Sequence, residues 1–174
     1  MTKWKKYFLS VCNTVAANSS CLSRHIGAII VRDKSIISTG YNGPPRGIPN
    51  CSDRWEHALD INLFKLMSQI KKDLPLGVCP RKILGYGSGQ GLELCVAGHA
   101  ERNALINAAR EGVSVKGATM YMSCNIPCKD CLIEIINAGI KKIVVAQISY
   151  YDETSKYLIA QSDLEIDTFE NEGD

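Results

Sequence analysis

The chain has little surplus charge and few aromatic side chains: its formal net charge is +2, and aromatics make up 7% of its 174 residues. Such a balance lacks the basic excess with which proteins neutralise a nucleic-acid backbone, so no nucleic-acid partner is expected. No apolar run reaches the roughly 20 residues that a membrane-spanning helix needs, so no membrane partner is expected either. The stretch from Met1 to Ala17 is amphipathic and lacks the continuous apolar core of an export signal, which favours a cytoplasmic location. Repeats and linkers are absent. With an apolar fraction of 45%, the length suits one domain whose core needs no covalent staples.

Cysteine, by contrast, is plentiful, with eight in the chain. In a small secreted protein they would form disulfides, but a full-size core without an export signal favours reduced thiols and metal coordination. Two short motifs concentrate that chemistry, His99-Ala100-Glu101 and Pro127-Cys128-Lys129-Asp130-Cys131. A catalytic zinc ion takes three nitrogen or sulfur ligands and keeps a fourth position for water. His99, Cys128 and Cys131 supply one imidazole and two thiolates. A Cys-x-x-Cys pair in the first turn of a helix points both sulfurs at one metal, and Pro127 suits that first turn. The positive end of the helix dipole favours the thiolates. Glu101, two residues from His99, is placed to work on water without ligating the metal. H-x-E followed by P-C-x-x-C is the pattern of zinc-dependent nucleobase deaminases. A redox role for Cys128 and Cys131 would leave His99 and Glu101 unexplained, and a regulatory scaffold without activity has no need of Glu101.

The remaining pattern predicts a helix over about 3–18, marked by Trp4, Tyr7, Phe8, Val11, Cys12 and Val15, then a strand over 26–31. Asp33-Lys34 is a turn, with Ser35 to Gly40 as the hairpin partner. A loop dense in glycine and proline follows from Gly40 to Gly47. A second helix is expected over 54–72, with Leu59, Leu63, Leu66, Met67 and Ile70 as its stripe and His57 facing solvent. Gly77 to Gly91 fits neither a dinucleotide-binding loop nor a P-loop and reads as a mobile excursion. The His99 helix is expected to end near Glu111 with Gly112 as its cap. A strand over 118–123, a helix from Pro127 to near Gly139, a strand over 142–148, a short helix after Asp152 and a strand over 164–169 complete the chain. Strands alternating with helices in the second half imply crossovers and hence a largely parallel sheet covered on both faces. Cys12 and Cys124 are placed outside any site.

Taken together, these residues resemble the deoxycytidylate (dCMP) deaminases of the cytidine deaminase-like superfamily. The resemblance runs from about Ser20 to Ile166. It is carried by Ile26-Gly27-Ala28-Ile29-Ile30-Val31, by the loop Gly40-Tyr41-Asn42-Gly43-x-Pro45-x-Gly47, by Glu93-Leu94-Cys95 leading into His99-Ala100-Glu101-x-Asn103-Ala104, and by Gly139-Ile140-Lys141. It implies a three-layer α/β/α fold with a five-stranded mixed sheet, forming a single domain over 1–174 with a variable insertion at about 53–92. The activity implied is zinc-dependent hydrolysis of dCMP to dUMP and ammonia, supplying dUMP for dTMP synthesis, with Glu101 as the proton carrier. The resemblance further implies that Asn42 contacts the sugar, that the Ala100 backbone reads the pyrimidine carbonyl, and that Tyr150 lies near the substrate. Arg24 and Arg46 are candidates for holding the 5′-phosphate. Cys21, Cys51, Cys79 and Cys95 stand where relatives place ligands of a second, structural Zn2+. The resemblance also implies a homo-oligomer, a hexamer, with dCTP and dTTP as effectors and Mg2+ accompanying the nucleotide. Between Tyr121 and Pro127 the chain is one residue longer than the family pattern, so the contacts of that loop are not carried over.

Overall fold

A computed structural model of the chain describes residues 1–56, 65, 69 and 77–171. The expected stripe of Leu59, Leu63, Leu66, Met67 and Ile70, together with His57, lies outside the described residues. Two compact units emerge. One comprises Met1–Ser19, Ile26–Asn42 and His99–Asp174; the other comprises Ser20–His25 and Gly43–Gly98.

The first unit is built on a five-stranded sheet of β1 (Gly27–Arg32), β2 (Ser35–Tyr41), β3 (Thr119–Met122), β4 (Lys142–Val145) and β5 (Glu165–Thr168). Their order is β2-β1-β3-β4-β5. β1 runs antiparallel to both neighbours, whereas β3, β4 and β5 are mutually parallel. The β1–β2 hairpin turns through Asp33 and Lys34, both at positive φ (49° and 61°). That is the backbone twist a two-residue hairpin loop requires. The parallel half follows from its connections, since helices cross over between β3 and β4 and between β4 and β5. These are α5 (Lys129–Asn137) and α6 (Glu153–Gln161).

The period of two in β1 sorts the layers. Ala28 and Ile30 join a cluster with Ala100, Ala104, Met120, Leu132 and Ile143 on one face. Ile29 and Val31 join Phe8, Cys12, Val144 and Phe169 on the other. The second face is covered by α1 (Lys3–Ala16), capped by Thr2, whose side chain accepts the Lys5 N–H. The first face is covered by α4 (Ala100–Arg110), α5 and α6. Each fully buried Ile or Leu of these clusters contributes about 1.5–3 kcal/mol through removal of apolar area from water. Two glycines set how closely helices approach the hairpin. A Cβ on Gly27 would stand 2.1 Å from the Cys12 carbonyl oxygen of α1, and one on Gly40 would stand 2.2 Å from the Ala104 nitrogen of α4.

The five-stranded mixed sheet matches the family resemblance, but the largely parallel sheet read from the strand–helix alternation holds only for β3, β4 and β5, because the hairpin strand β1 pairs antiparallel with both β2 and β3. The elements themselves match with shifts at the ends. The first helix stops at Ala16 rather than 18, and the fourth strand stops at Val145 rather than 148. Pro127 lies one position before the cap of α5 instead of inside its first turn, because Cys128 holds the cap with extended backbone.

In the second unit, α2 (Cys51–Glu56) begins three residues before the expected Arg54 and α3 (Pro80–Ile83) is a single turn. Gly77 to Gly91, expected to be a mobile excursion, is tied by Arg81, which donates to the carbonyls of Gln90 (2.6 Å) and Gly87 (3.2 Å). Arg54 donates to the Leu94 carbonyl at 3.0 Å. Gly43 and Gly98 form an isolated antiparallel bridge that closes the unit. Among the described residues, no helix is long and apolar enough to cross a membrane.

Candidate metal centre

Two helix starts build the site. His99 is the cap of α4 and Cys128 the cap of α5, both in extended backbone (φ −72°, ψ 154° and φ −65°, ψ 162°). Cap residues project side chains past the helix end rather than along its wall, so both ligands reach the same space. Cys131 lies three residues on, in the first turn of α5, and is fully buried. His99 Nδ1 stands 3.3 Å from Cys131 Sγ and 3.5 Å from Cys128 Sγ. Among the described residues, this is the group of three or more candidate donors lying within 4.8 Å of one another. A metal 2.0–2.3 Å from each ligand in tetrahedral array would space the ligands about 3.3–3.8 Å apart, so the donor set fits zinc.

The electrostatics agree. A hydrogen bond from Cys131, working against burial and helped by His99 and the Cys131 backbone amide, brings the Cys128 pKa down to about 4. The same bond, together with burial and the nearby Glu101 carboxylate, pushes Cys131 up. The hydrogen bond to Cys128 raises His99, against burial and with the help of Glu101 and Cys128. Two sulfurs and an imidazole thus share protons in a space that one cation would fill, displacing them.

Glu101 is 4% exposed, in the first turn of α4. Its Oε1 stands 4.0 Å from Cys124 Sγ. Cys124, placed outside any site from sequence, therefore lies beside the residue expected to carry protons. Nothing in the spacing could reveal this, because the contact joins a helix start to the loop after β3. That loop is pinned: Ser123 N–H donates to the Gly27 carbonyl (2.9 Å), Gly27 N–H donates to Ser123 Oγ (3.0 Å), and Ala146 N–H donates to the Cys124 carbonyl (2.8 Å). Cys12 does lie in the core, where burial pushes its thiol up to about 12.

α4 and α5 are joined by Arg102, whose Nε lies 2.9 Å and 3.1 Å from the two carboxylate oxygens of Glu134. Ala100 is buried at the first position of α4. Asn42, also buried, accepts the Ile26 N–H on Oδ1 (2.7 Å), and its carbonyl accepts from Ser19 Oγ (2.6 Å). Its side-chain oxygen is thereby committed to holding the end of the hairpin. Tyr150 is 43% exposed in the segment between β4 and α6. Arg24 and Arg46 are exposed. The structure thus gathers His99, Ala100, Glu101, Cys128 and Cys131 at one point.

Cys21, Cys51, Cys79 and Cys95 all fall in the second unit. Burial first, then the charges of Cys79, Cys95 and Cys21, push Cys51 up to about 11, with Arg54 opposing. The other three thus lie near enough to Cys51 to act on it, but the four do not close to the mutual distances of the His99 group.

Residues 2–147 match the family described as the cytidine and deoxycytidylate deaminase zinc-binding region. The chain is 36% identical over 152 residues to the deoxycytidylate deaminase of Enterobacteria phage T4, covering 80% of this chain and 75% of that one. It is 33% identical over 146 residues to that of Mycobacterium phage D29, covering 81% and 92%. The Saccharomyces cerevisiae deoxycytidylate deaminase is 31% identical over 166 residues, 95% of this chain, which spans only 45% of the yeast protein. Among solved structures, dCMP deaminase from cyanophage S-TIM5 in complex with dCMP and dUMP superposes with a TM-score of 0.65 at 24% identity, covering 97% of this chain and 98% of that one. With a matched region that reaches from α1 to the end of β4 and contains the His99, Cys128 and Cys131 centre, the chain belongs to the cytidine and deoxycytidylate deaminase zinc-binding family.

Proposed function

We propose that the protein is a zinc-dependent hydrolase converting dCMP to dUMP and ammonia. The observation that carries this is the buried Glu101 carboxylate, near enough to the His99, Cys128 and Cys131 donor set for its charge to act on His99 and Cys131. Hydrolytic deamination replaces the 4-amino group of cytosine with oxygen from water, so protons must leave the water and reach first N3 and then the departing amine. A zinc ion held by His99, Cys128 and Cys131 supplies, when bound, the Lewis acidity that makes water nucleophilic near neutral pH. Glu101 accepts one proton from the water and delivers it to N3, then carries the second, from the oxygen added at C4, to the departing amine. Its burial excludes bulk water, which would otherwise compete for those protons. Ala100 presents backbone to the pyrimidine carbonyl, Asn42 binds the sugar, and Tyr150 borders the substrate. Their support is the resemblance of their flanking motifs to the family.

The reading extends to the second unit. Cys21, Cys51, Cys79 and Cys95 hold a structural Zn2+, supported by the nearness of Cys51 to the other three, by the family resemblance and by the tetrahedral preference of such sites. The chain works as one domain over 1–174, with the insertion at about 53–92 tied down by this metal. Assembly into a homo-oligomer, a hexamer, rests on the family resemblance, and exposed Ile106, Ile133 and Tyr157 on α4, α5 and α6 are available to such contacts. Regulation by dCTP and dTTP, with Mg2+ accompanying the nucleotide, and a cytoplasmic location complete the proposal.

An assay of dCMP against deoxycytidine, with and without dCTP, on protein of measured zinc content tests it. Turnover of dCMP with about two zinc ions per chain is expected. Equal turnover of the nucleoside would remove the phosphate from the recognition, and a zinc-loaded protein inert toward both would refute the activity.

A further inference from the structure

The cap of α5 poses a local problem. Cap positions are usually filled by Ser, Thr, Asp or Asn, whose oxygen satisfies the first free amides of a helix. Here the position belongs to Cys128, whose sulfur is committed to the donor cluster. The backbone at this point finds partners from the next helix instead.

Asp152, the cap of α6, accepts the Ser155 N–H of its own helix on Oδ1 at 2.7 Å. Its other oxygen, Oδ2, accepts the Lys129 N–H of α5 at 3.4 Å. Ser155 is fully buried, and its Oγ donates to the Pro127 carbonyl at 3.2 Å. Residues 127 and 129 are the two neighbours of Cys128, and both are held from one turn of α6. That turn is itself fixed, because Leu158 and Ile159 pack on the main core cluster. A carboxylate lying between two helix starts also meets the positive end of both dipoles.

We propose that Asp152 and Ser155 are positioning residues for the metal centre: gripping the backbone on both sides of Cys128, they hold its thiolate where His99 and Cys131 converge. The inference rests on the reading of that cluster as a zinc site. Outer contacts of this kind typically change metal affinity about 10- to 100-fold when removed.

The test measures zinc release from the loaded protein into excess chelator, alongside the sulfur-to-metal charge-transfer band of the cobalt-substituted protein. Ser155→Ala and Asp152→Ala should each release zinc at least about tenfold faster and shift the cobalt band. Asp152→Asn keeps an oxygen for the Ser155 amide and loses the acceptor for Lys129, so it should restore thermal stability without restoring zinc retention. Lys5→Met, which loosens the fold at the far face of the sheet, is the control and should leave zinc release unchanged. Zinc release and a cobalt band indistinguishable from the parent in the Ser155 and Asp152 variants would overturn the inference. So would equal acceleration by Lys5→Met, since the effect would then be global. A parent protein that retains neither zinc nor cobalt would overturn the metal-centre reading itself, and this inference with it.

Discussion

Gly40→Ala is the substitution whose cost the structure defines most sharply. The new Cβ would lie 2.2 Å from the Ala104 nitrogen and 2.4 Å from the Ala100 oxygen, both backbone atoms of α4. Backbone cannot rotate aside as a side chain can, so the helix must retreat from β2 by about 1 Å, a form of overpacking that costs about 1–3 kcal/mol. The same retreat stretches three bonds that stitch α4 to β2. Ser38 Oγ donates to the Ala104 carbonyl at 2.7 Å, and Asn103 and Asn107 donate to the carbonyls of Tyr41 and Thr39, each at 2.8 Å. Each is worth about 1 kcal/mol net, so the expected loss is about 4–6 kcal/mol, a large share of a typical stability of about 5–15 kcal/mol. Because α4 carries His99 at its cap, zinc retention should fall with it. Urea unfolding of the zinc-loaded protein, followed by metal analysis after gel filtration, measures both. Gly112→Ala, just past the C-terminal end of the same helix, is the matched control: its φ is +68°, but no atom lies within 4 Å of the added carbon, so only the left-handed penalty of about 1 kcal/mol applies. A Gly40→Ala loss no larger than that of Gly112→Ala would refute the close-approach argument.

Glu101→Ala should abolish dCMP turnover with one zinc still bound at the His99 centre, and His99→Ala should lose that zinc; activity in the first or full metal content in the second would refute the assigned roles. Cys124→Ser should shift the acidic limb of the kcat/KM pH profile, because the group 4.0 Å from Glu101 Oε1 becomes a stronger donor; an unchanged profile would show the contact to be passive. Asp167 should govern acid stability. Burial opposes its charge but is outweighed by hydrogen bonds from Lys5, Lys142, Asn171 and the Thr168 amide, so its carboxyl is held below the ordinary range. A depressed folded pKa means the stabilisation is complete above the unfolded value of about 3.9 and is lost as pH falls through the folded one. Lys5, 4% exposed and 2.8 Å from Asp167, is its most buried partner. Lys5→Met should therefore cost about 3 kcal/mol at pH 7 and flatten the acid-side loss; a pH–stability curve parallel to that of the parent protein would contradict this.

What the sequence determined alone were features with local causes. The short β-branched run of Ile26–Val31, the helical spacing of Trp4, Phe8, Cys12 and Val15, and the turn at Asp33-Lys34 each follow from neighbours along the chain, and all appear in the fold. The ligand set was legible for the same reason: a Cys-x-x-Cys pair shares one helix turn, and His-x-Glu brackets one helix start. Only the tertiary structure decided which distant segments meet those turns. Cys124 reaches Glu101 across 23 positions, and Ser155 reaches Pro127 across 28. Gly40 is required by α4 and not by any turn in its own strand. Such contacts are set by the crossing of helices over the sheet, where the side chains that face each other depend on register and approach distance. Residue spacing along the chain carries neither quantity.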